Sequence, residues 1–398
     1  MKIKDLKTFI VANPPPQYGG RYFIFLKLTT DDGIEGVGEV YCATYRPHVI
    51  EKMIEDLFER HVEGMNPFRI EKLWRNVYGR GYTMRPDVSL IGVLSGLEIA
   101  LWDICGKSVD KPIYELLGGR VHEKLRTYTY LYPKDDMNKN KKNVYNDPEL
   151  AAEVAVEYLE QGFTAIKFDP VGHYSVFDPR QVSLEDMEIS ELFCKRLREA
   201  VGTKADLLFG THGQFTAAGA IRLARRLECY DLLWFEEPTP PESPEEMAKV
   251  ARKTSIPIAT GERLTTKYEF ASILKSGAAA ILQMALGRVG GILEAKKIAS
   301  MAESYYAQIA PHLYCGPIEG AANIQISTCS PNFLLLEGIQ RWQGFQAKIL
   351  KRPIQWDFGY VIPSTEPGLG VELNEEVALA NPYNEDFLHL EMEEDHIL

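Results

Sequence analysis

An α/β fold is predicted for this chain, with a closed barrel of parallel strands following a smaller α+β unit. Three observations carry that expectation. From about Lys124 onward, short apolar runs alternate with amphipathic helical patterns, and from the third run the repeat is roughly 25 residues, the length of a βα unit. The preceding residues lack this alternation and read instead as a hairpin followed by helices. Finally, polar or ionisable side chains stand at the C-terminal ends of the apolar runs, and the C-terminal rim of a parallel barrel is where such folds keep their chemistry.

The first unit opens with Arg21–Leu28 and Ile34–Val40, two β-rich runs joined through Asp31-Asp32-Gly33, a hairpin signal. Helical periodicity follows over His48–Glu63, Phe68–Tyr78 and Leu94–Lys107, and Leu116-Leu117-Gly118-Gly119 closes the unit with a glycine stop. The eight strands expected after it are Arg126–Tyr132, Ala165–Phe168, Ala205–Gly210, Leu232–Phe235, Ile256–Ala259, Ala280–Met284, Ala307–Ala310 and Phe333–Leu336. Helices are expected over Pro148–Gln161, Leu184–Ala200, Ala217–Leu227, Lys267–Ser276 and Ile292–Tyr305. An open doubly wound sheet has the same alternation, but no G-x-G-x-x-G follows the first strand, which weakens its dinucleotide-binding version. Beyond the last strand, Arg352–Glu372 is turn-rich and does not read as another βα unit; the Lys/Asn-rich run Asp136–Asn146 reads as an exposed loop and Glu391–His396 as a solvated tail.

Composition narrows the function. The chain has 398 residues, enough for two domains and a large core, and a formal charge of −12. That balance argues against nucleic acid, which needs a cationic face; an anionic small substrate stays open because a metal ion and a few local cations reverse the field in a cleft. Six cysteines lie far apart with no C-x-x-C pair, as expected of reduced thiols in a cytoplasmic protein. No apolar stretch is expected to reach the roughly 20 residues of a membrane helix, and the N-terminal apolar run is too short for a signal peptide.

The strand ends carry the functional argument. Lys167 and Asp169 end the second strand on one face. Gly210, Thr211 and His212 follow the third, Glu236 the fourth, Glu262 the fifth, His312 the seventh and Glu337 the eighth. Acidic residues ending two successive buried strands are expensive unless their charge is compensated, by a metal cation or by Lys and Arg in a structural network. Any one of these side chains alone reads as an ordinary structural residue. Converging on one rim, they need a metal or a substrate to be buried together.

These residues sit in motifs that resemble the enolase superfamily. Lys167-Phe168-Asp169, Glu236-Glu237-Pro238, A-T-G-E-R (Ala259–Arg263), G-R-V-G-G-I (Gly287–Ile292), Ala310-Pro311-His312 and L-L-L-E (Leu334–Glu337) all correspond, as do D-D-G-I-E-G-V-G-E (Asp31–Glu39), A-L-W-D-I-C-G-K (Ala100–Lys107), Y-E-L-L-G-G (Tyr114–Gly119) and P-G-L-G-V-E (Pro367–Glu372). The resemblance covers nearly the whole chain. Within the superfamily it is to the mandelate racemase/muconate lactonizing enzyme type, and through K-F-D-P-V-G-H-Y and T-H-G-Q-F to gluconate/galactonate (sugar-acid) dehydratases. It implies a modified TIM barrel, (β/α)7β, over residues 123–365, an N-terminal α+β capping domain over 1–122, and a C-terminal segment, 366–398, returning to the cap.

The resemblance further implies Mg²⁺ on Glu236 and Glu262, acid/base roles for Lys167, His212 and His312, and substrate contacts from Glu337 and Asp169. A hard divalent cation stabilises the enediolate formed when the proton α to a carboxylate is removed; an acid then helps the β-hydroxyl leave, giving a 2-keto-3-deoxy acid. Specificity is expected from Gly-punctuated cap loops holding Tyr18, Tyr22, Tyr45, Tyr82 and Arg85, with Arg85 the expected substrate contact. Two residues depart from the family pattern. Gly210 stands where the third-strand metal ligand is expected, and Ala285 where an Asp orients the seventh-strand histidine. Without that Asp, His312 is a less convincing base and the choice between it, Lys167 and His212 stays open; Asp169 as a partner of Lys167 would raise the lysine's pKa. The expected protein is thus a cytoplasmic Mg²⁺-dependent sugar-acid dehydratase, an even-numbered homo-oligomer with no nucleic-acid or membrane partner. An epimerase or cycloisomerase on a similar acid, and a non-catalytic sugar-acid-binding relative, are the alternatives.

Overall fold

The computed structural model describes residues 1–42, 44–80, 82, 84–133, 143–171 and 179–390. Most of the Lys/Asn-rich run, the acidic tail and the Gly172-His173-Tyr174 part of the second-strand motif lie outside these residues. The first unit is a three-stranded antiparallel sheet, β1 (Ile3–Ala12), β2 (Tyr22–Thr30) and β3 (Glu35–Val40), rather than a hairpin alone. β1 alternates buried and exposed positions weakly, because helix and C-terminal segment cover parts of both faces, so its period is blurred in the sequence.

A 21-residue helix, Val88–Ser108, packs on β3. The glycines of E-G-V-G-E make that contact possible: a Cβ at Gly38 would lie 1.9 Å from the Gly96 carbonyl, and one at Gly36 2.2 Å from that of Ala100. This helix corrects the expectation that no stretch matches a membrane span. It is long and apolar enough by composition, with mean hydropathy 1.7, but 83% of that window is buried inside the protein. It begins six positions before the expected Leu94, where Asp87 caps it by accepting from the Ser89 and Leu90 N–H groups.

The second unit is a closed barrel. Strands β4 (Leu125–Tyr130), β5 (Ala165–Phe168), β6 (Asp206–Phe209), β7 (Trp234–Glu236), β8 (Ile258–Thr260), β9 (Ile281–Leu282) and β10 (Gln308–Ile309) pair in order and in parallel. β11 (Leu336–Glu337) pairs in parallel with β4, and a bridge between Ile309 and Phe333 joins it to β10, closing the ring. Helices Pro148–Glu160, Leu184–Val201, Ala217–Leu227, Pro244–Ala251, Thr266–Ser276, Ile292–Glu303 and Pro317–Thr328 fill the intervals, one after each strand but the last. In place of an eighth helix pairing, a small hairpin of β12 (Trp356–Asp357) and β13 (Tyr360–Val361) runs antiparallel against the start of β4. The chain then returns to the cap, where the Tyr383 N–H donates to the Ile10 carbonyl at 3.0 Å.

Cap and barrel are joined by buried carboxylates at helix N-termini, which carry unsatisfied N–H groups and a positive dipole end. Glu98 accepts from the N–H groups of Ile292 (2.7 Å) and Leu293 (2.9 Å), and Glu39 from those of Gly316 (2.6 Å) and Glu319 (2.8 Å). Replacing Glu98 by Ala strands those donors in a dry interface. The expected loss is about 2–5 kcal/mol, read as a fall in urea midpoint, against a change of about 0.5 kcal/mol or less for exposed Glu153→Ala.

Candidate active site

Strand alternation builds the site. Tyr128, Ala165, Leu208, Trp234, Ala259, Ile281, Ala310 and Leu335 form one apolar cluster, one residue from each of the eight strand positions, and this is the floor of the barrel interior. Two residues further on, the same inward direction recurs. There stand Tyr130, Lys167, Gly210, Glu236, Gly261, Gln283, His312 and Glu337. The apolar layer therefore ends and the chemistry begins within one strand period.

Lys167 is buried, with 1% exposure, and its Nζ lies 2.5 Å from Glu236 Oε1 and 3.8 Å from Glu337 Oε1, 4.8 Å from the centre of the Tyr130 ring. Burial would lower its pKa, but Glu236, Glu337, Glu262 and Asp169 outweigh burial and hold it above the ordinary lysine value. The other oxygen of Glu236 accepts from Trp234 Nε1 at 2.9 Å and Gln283 Nε2 at 2.8 Å. Glu337 Oε2 accepts from the Leu313 N–H at 2.7 Å, and burial raises its carboxyl to about 7.

The two histidines differ. His212 Nδ1 lies 2.8 Å from Asp169 Oδ2, and its backbone is left-handed at φ 53°, a sparsely populated conformation that clusters at functional sites. Burial opposes its protonation, but Asp169 dominates and the pKa is raised to about 9. His312 has no carboxylate at Nδ1, which is buried without a hydrogen-bond partner among the described residues; burial lowers its pKa to about 3. Glu262 Oε2 faces both rings, 3.9 Å from His212 Nε2 and 3.6 Å from His312 Nε2.

The structure thus brings Lys167, Asp169, His212, Glu236, Glu262, His312 and Glu337 together. It does not do so for Arg85, which is exposed and forms no ion pair with a described residue. The partner of Lys167 is Glu236 rather than Asp169, which is held by His212 and by the Tyr130 hydroxyl at 3.2 Å. Of the cap tyrosines, Tyr18 stacks on Tyr132 at 4.1 Å and Tyr22 is core, while Tyr45 and Tyr82 are exposed. Sequence reasoning missed Tyr41, stacked on His312 at 5.9 Å, and Arg288, which lies 4.0 Å over the Tyr41 ring and donates to the Glu262 carbonyl at 3.0 Å. Arg288 belongs to the G-R-V-G-G-I motif (Gly287–Ile292), a signal that could have flagged it; Tyr41 offers none.

The donors do not fit the three-carboxylate Mg²⁺ site that the sequence resemblance implies. A Cβ at position 210 would lie 1.9 Å from Asp169 Oδ1, so Asp169 fills the space of the third-strand side chain. Both oxygens of Glu236 are engaged, one by an ammonium. Among the described residues no three His, Cys, Asp or Glu side chains are arranged to hold a metal ion.

Residues 17–118 match the mandelate racemase/muconate lactonizing enzyme N-terminal domain, and residues 149–377 the family described as enolase C-terminal domain-like. This chain belongs to the mandelate racemase/muconate lactonizing enzyme family of the enolase superfamily. It is 33% identical to a D-xylonate dehydratase of Haloferax volcanii, covering 94% of this chain and 87% of that protein, and 35% identical to a D-galactonate dehydratase of Ralstonia nicotianae, covering 95% and 94%. Among solved structures, a mandelate racemase/muconate lactonizing enzyme-type protein of Labrenzia alexandrii is 64% identical, with a TM-score of 0.96 over 99% of both chains. The family's enzymatic character is thereby shared, and these curated relatives are hydro-lyases.

A histidine NMR titration is expected to show one imidazole, His212, with a midpoint near 9, moving toward 6.5 in Asp169→Asn. Because the folded value lies above the unfolded 6.5, the pairing stabilises the fold fully below pH 6.5 and loses its contribution as pH rises through 9. The melting-temperature gap between wild type and Asp169→Asn should therefore close above that pH.

Proposed function

We propose that the chain is a sugar-acid dehydratase, acting on a gluconate- or galactonate-like aldonate. The observation that carries this reading is the His212–Asp169 pair beside an unprotonated His312, an imidazolium and an imidazole facing one carboxylate. His312 Nε2 takes the α-proton, its basicity raised by the negative charge the substrate carboxylate brings. Lys167 and Arg288 offset the charge that builds on the carboxylate oxygens. His212 gives its proton to the departing β-hydroxyl, which leaves as water, and the enol tautomerises to a 2-keto-3-deoxy acid. Asp169 holds the His212 ring, Glu337 and Asp169 accept from the substrate hydroxyls, and Arg85 is a further substrate contact reached from the cap.

The magnesium expected on Glu236 and Glu262 would supply the electrophile for the enediolate, but Asp169 fills the third-ligand space and Lys167 holds Glu236. Calorimetry is expected to find no saturable Mg²⁺ binding at millimolar concentration in the wild type and a gain in Lys167→Met, where Glu236 loses its counter-charge. Stoichiometric binding to the wild type at micromolar concentration would overturn this.

An imidazolium and an imidazole, one facing each side of one carboxylate, also suit an epimerase, the second reading. A screen of sugar acids in D₂O separates them. Formation of 2-keto acid, at least 100-fold reduced in His212→Asn, is the expected result; deuterium at C2 without keto acid would favour epimerisation, and neither would leave a binding role. We further take the protein to be a cytoplasmic homo-oligomer of even number, divided at 1–122, 123–365 and 366–398. Six free cysteines, five of them buried, suit a reducing compartment.

A further inference from the structure

His312 has lost the group that would be expected to orient it, yet its ring is buried and has a defined neighbour. The sixth-strand position is Ala285, fully buried, and His312 Nδ1 has no partner among the described residues. An imidazole with one nitrogen unpaired is fixed by its second-shell hydrogen bond in most catalytic sites; here that bond is missing. What touches the ring instead is Tyr41, with centroids 5.9 Å apart and planes within 13°.

Tyr41 is itself held on three sides. Its N–H donates to the Gly287 carbonyl at 3.0 Å, tying it to the loop that carries Ala285. The Arg288 guanidinium lies 4.0 Å over its ring, a cation–π contact worth more when desolvated. The His389 ring packs on it at 5.4 Å and 61°. His389 comes from the C-terminal segment, 77 positions beyond His312, and is buried among Tyr22 and Tyr314 as well, at 5.5 and 6.2 Å in edge-on geometry. Its Nε2 is 3.1 Å from the Gly19 carbonyl, and Gly20 lacks a Cβ where one would lie 2.0 Å from that nitrogen. The cap loop is thus shaped around the His389 ring.

We propose that a pile of rings, His312–Tyr41–His389, running from the barrel through the cap to the C-terminal segment, positions His312 in place of the absent sixth-strand carboxylate. Tyr41 and His389 are positioning residues, acting through His312 without touching the reacting atoms. Stacking fixes the ring plane but leaves Nδ1 without a negative partner, so the pile orients the imidazole without making it a stronger base. The inference rests on the proposed role of His312 in proton transfer only for its kinetic consequence; the orientation itself is testable without substrate.

The experiment labels the histidines at Cε1 and follows the His312 signal, assigned by its loss in His312→Asn, in the full-length protein. Tyr41→Leu removes the ring and is expected to move or broaden that signal, while Tyr41→Phe keeps it in place. His389→Leu, in the C-terminal segment, is expected to broaden the same signal and carries the comparison should Tyr41→Leu fail to fold. With an active sugar acid, Tyr41→Leu should lower kcat by about 10- to 100-fold while KM changes by about twofold or less, a split that a general loss of packing would not give. A His312 signal unmoved in both Tyr41→Leu and His389→Leu overturns the proposal whether or not any substrate is turned over. A moved signal with no turnover of any sugar acid would instead leave the pile standing and remove the dehydratase reading.

Discussion

The buried pairing of Lys167 with Glu236 is the interaction on which the top of the barrel depends. An ammonium and a carboxylate taken out of water each lose several kcal/mol of solvation, and a single contact at 2.5 Å repays this only when their remaining hydrogen-bonding capacity is met. Here Trp234 and Gln283 satisfy the second Glu236 oxygen, Tyr130 offers its ring face to the ammonium, and Glu337 approaches from the far side. Removing Lys167 would leave Glu236 without its ammonium inside the barrel, and removing Glu236 would leave the ammonium with Glu337 at 3.8 Å as its nearest carboxylate among the described residues. The pair also sits directly above the apolar floor, so its dielectric surroundings are those of a protein interior, where each charge acts on its neighbours more strongly than it would in water.

The same economy of buried charge joins the two units. Glu39, Glu98 and Asp103 are all fully buried cap carboxylates, and each is satisfied largely by backbone N–H groups: those of the barrel at Gly316, Glu319, Ile292 and Leu293, and those of Val37 and Leu369. Because N–H groups at a helix start are fixed in direction, such contacts orient the cap as well as hold it. This matters for the site, since the cap places Tyr41 beside His312. A carboxylate at Glu39, two residues before Tyr41, is anchored on the helix that follows the His312 loop.

Much of this was legible in the sequence because strand geometry is periodic. The alternation that puts Ala165, Leu208 and Trp234 inside also puts Lys167, Gly210 and Glu236 inside two residues later, and a run ending in an ionisable residue records that step directly. Asp169 and His212 fall on the next step and meet across adjacent strands. What the sequence did not reveal is what depends on contacts between distant segments. Nothing local distinguishes Tyr41 from any other aromatic ending a strand. His389 lies just before the tail that reads as solvated, with no local signal for burial, yet is buried because Gly19 and Gly20, hundreds of residues earlier, make room for it. Arg85 stands exposed, outside the cluster, for the opposite reason: a cation in a Gly-punctuated loop looks available to an anion, but loop direction is not encoded in composition. The apolar stretch of Val88–Ser108 was underestimated because its glycines and serines, which serve close packing on β3, dilute the pattern.

Gly210 and Ala285 then read as parts of one rearrangement. With no side chain at 210, Asp169 occupies that space and from there reaches His212. With Ala at 285, His312 Nδ1 has no carboxylate partner among the described residues, and the anions near its ring, Glu262 and Glu337, face Nε2 at 3.6 and 4.0 Å. Two chemically identical side chains are thereby pushed in opposite directions, one upward by Asp169 and one downward by burial. Divergence of paired titratable groups is the pattern by which a single fold assigns acid and base. A carboxylate stands at Nδ1 of the third-strand histidine and none at Nδ1 of the seventh-strand one, so in the proposed dehydration His212 is the proton donor and His312 the acceptor.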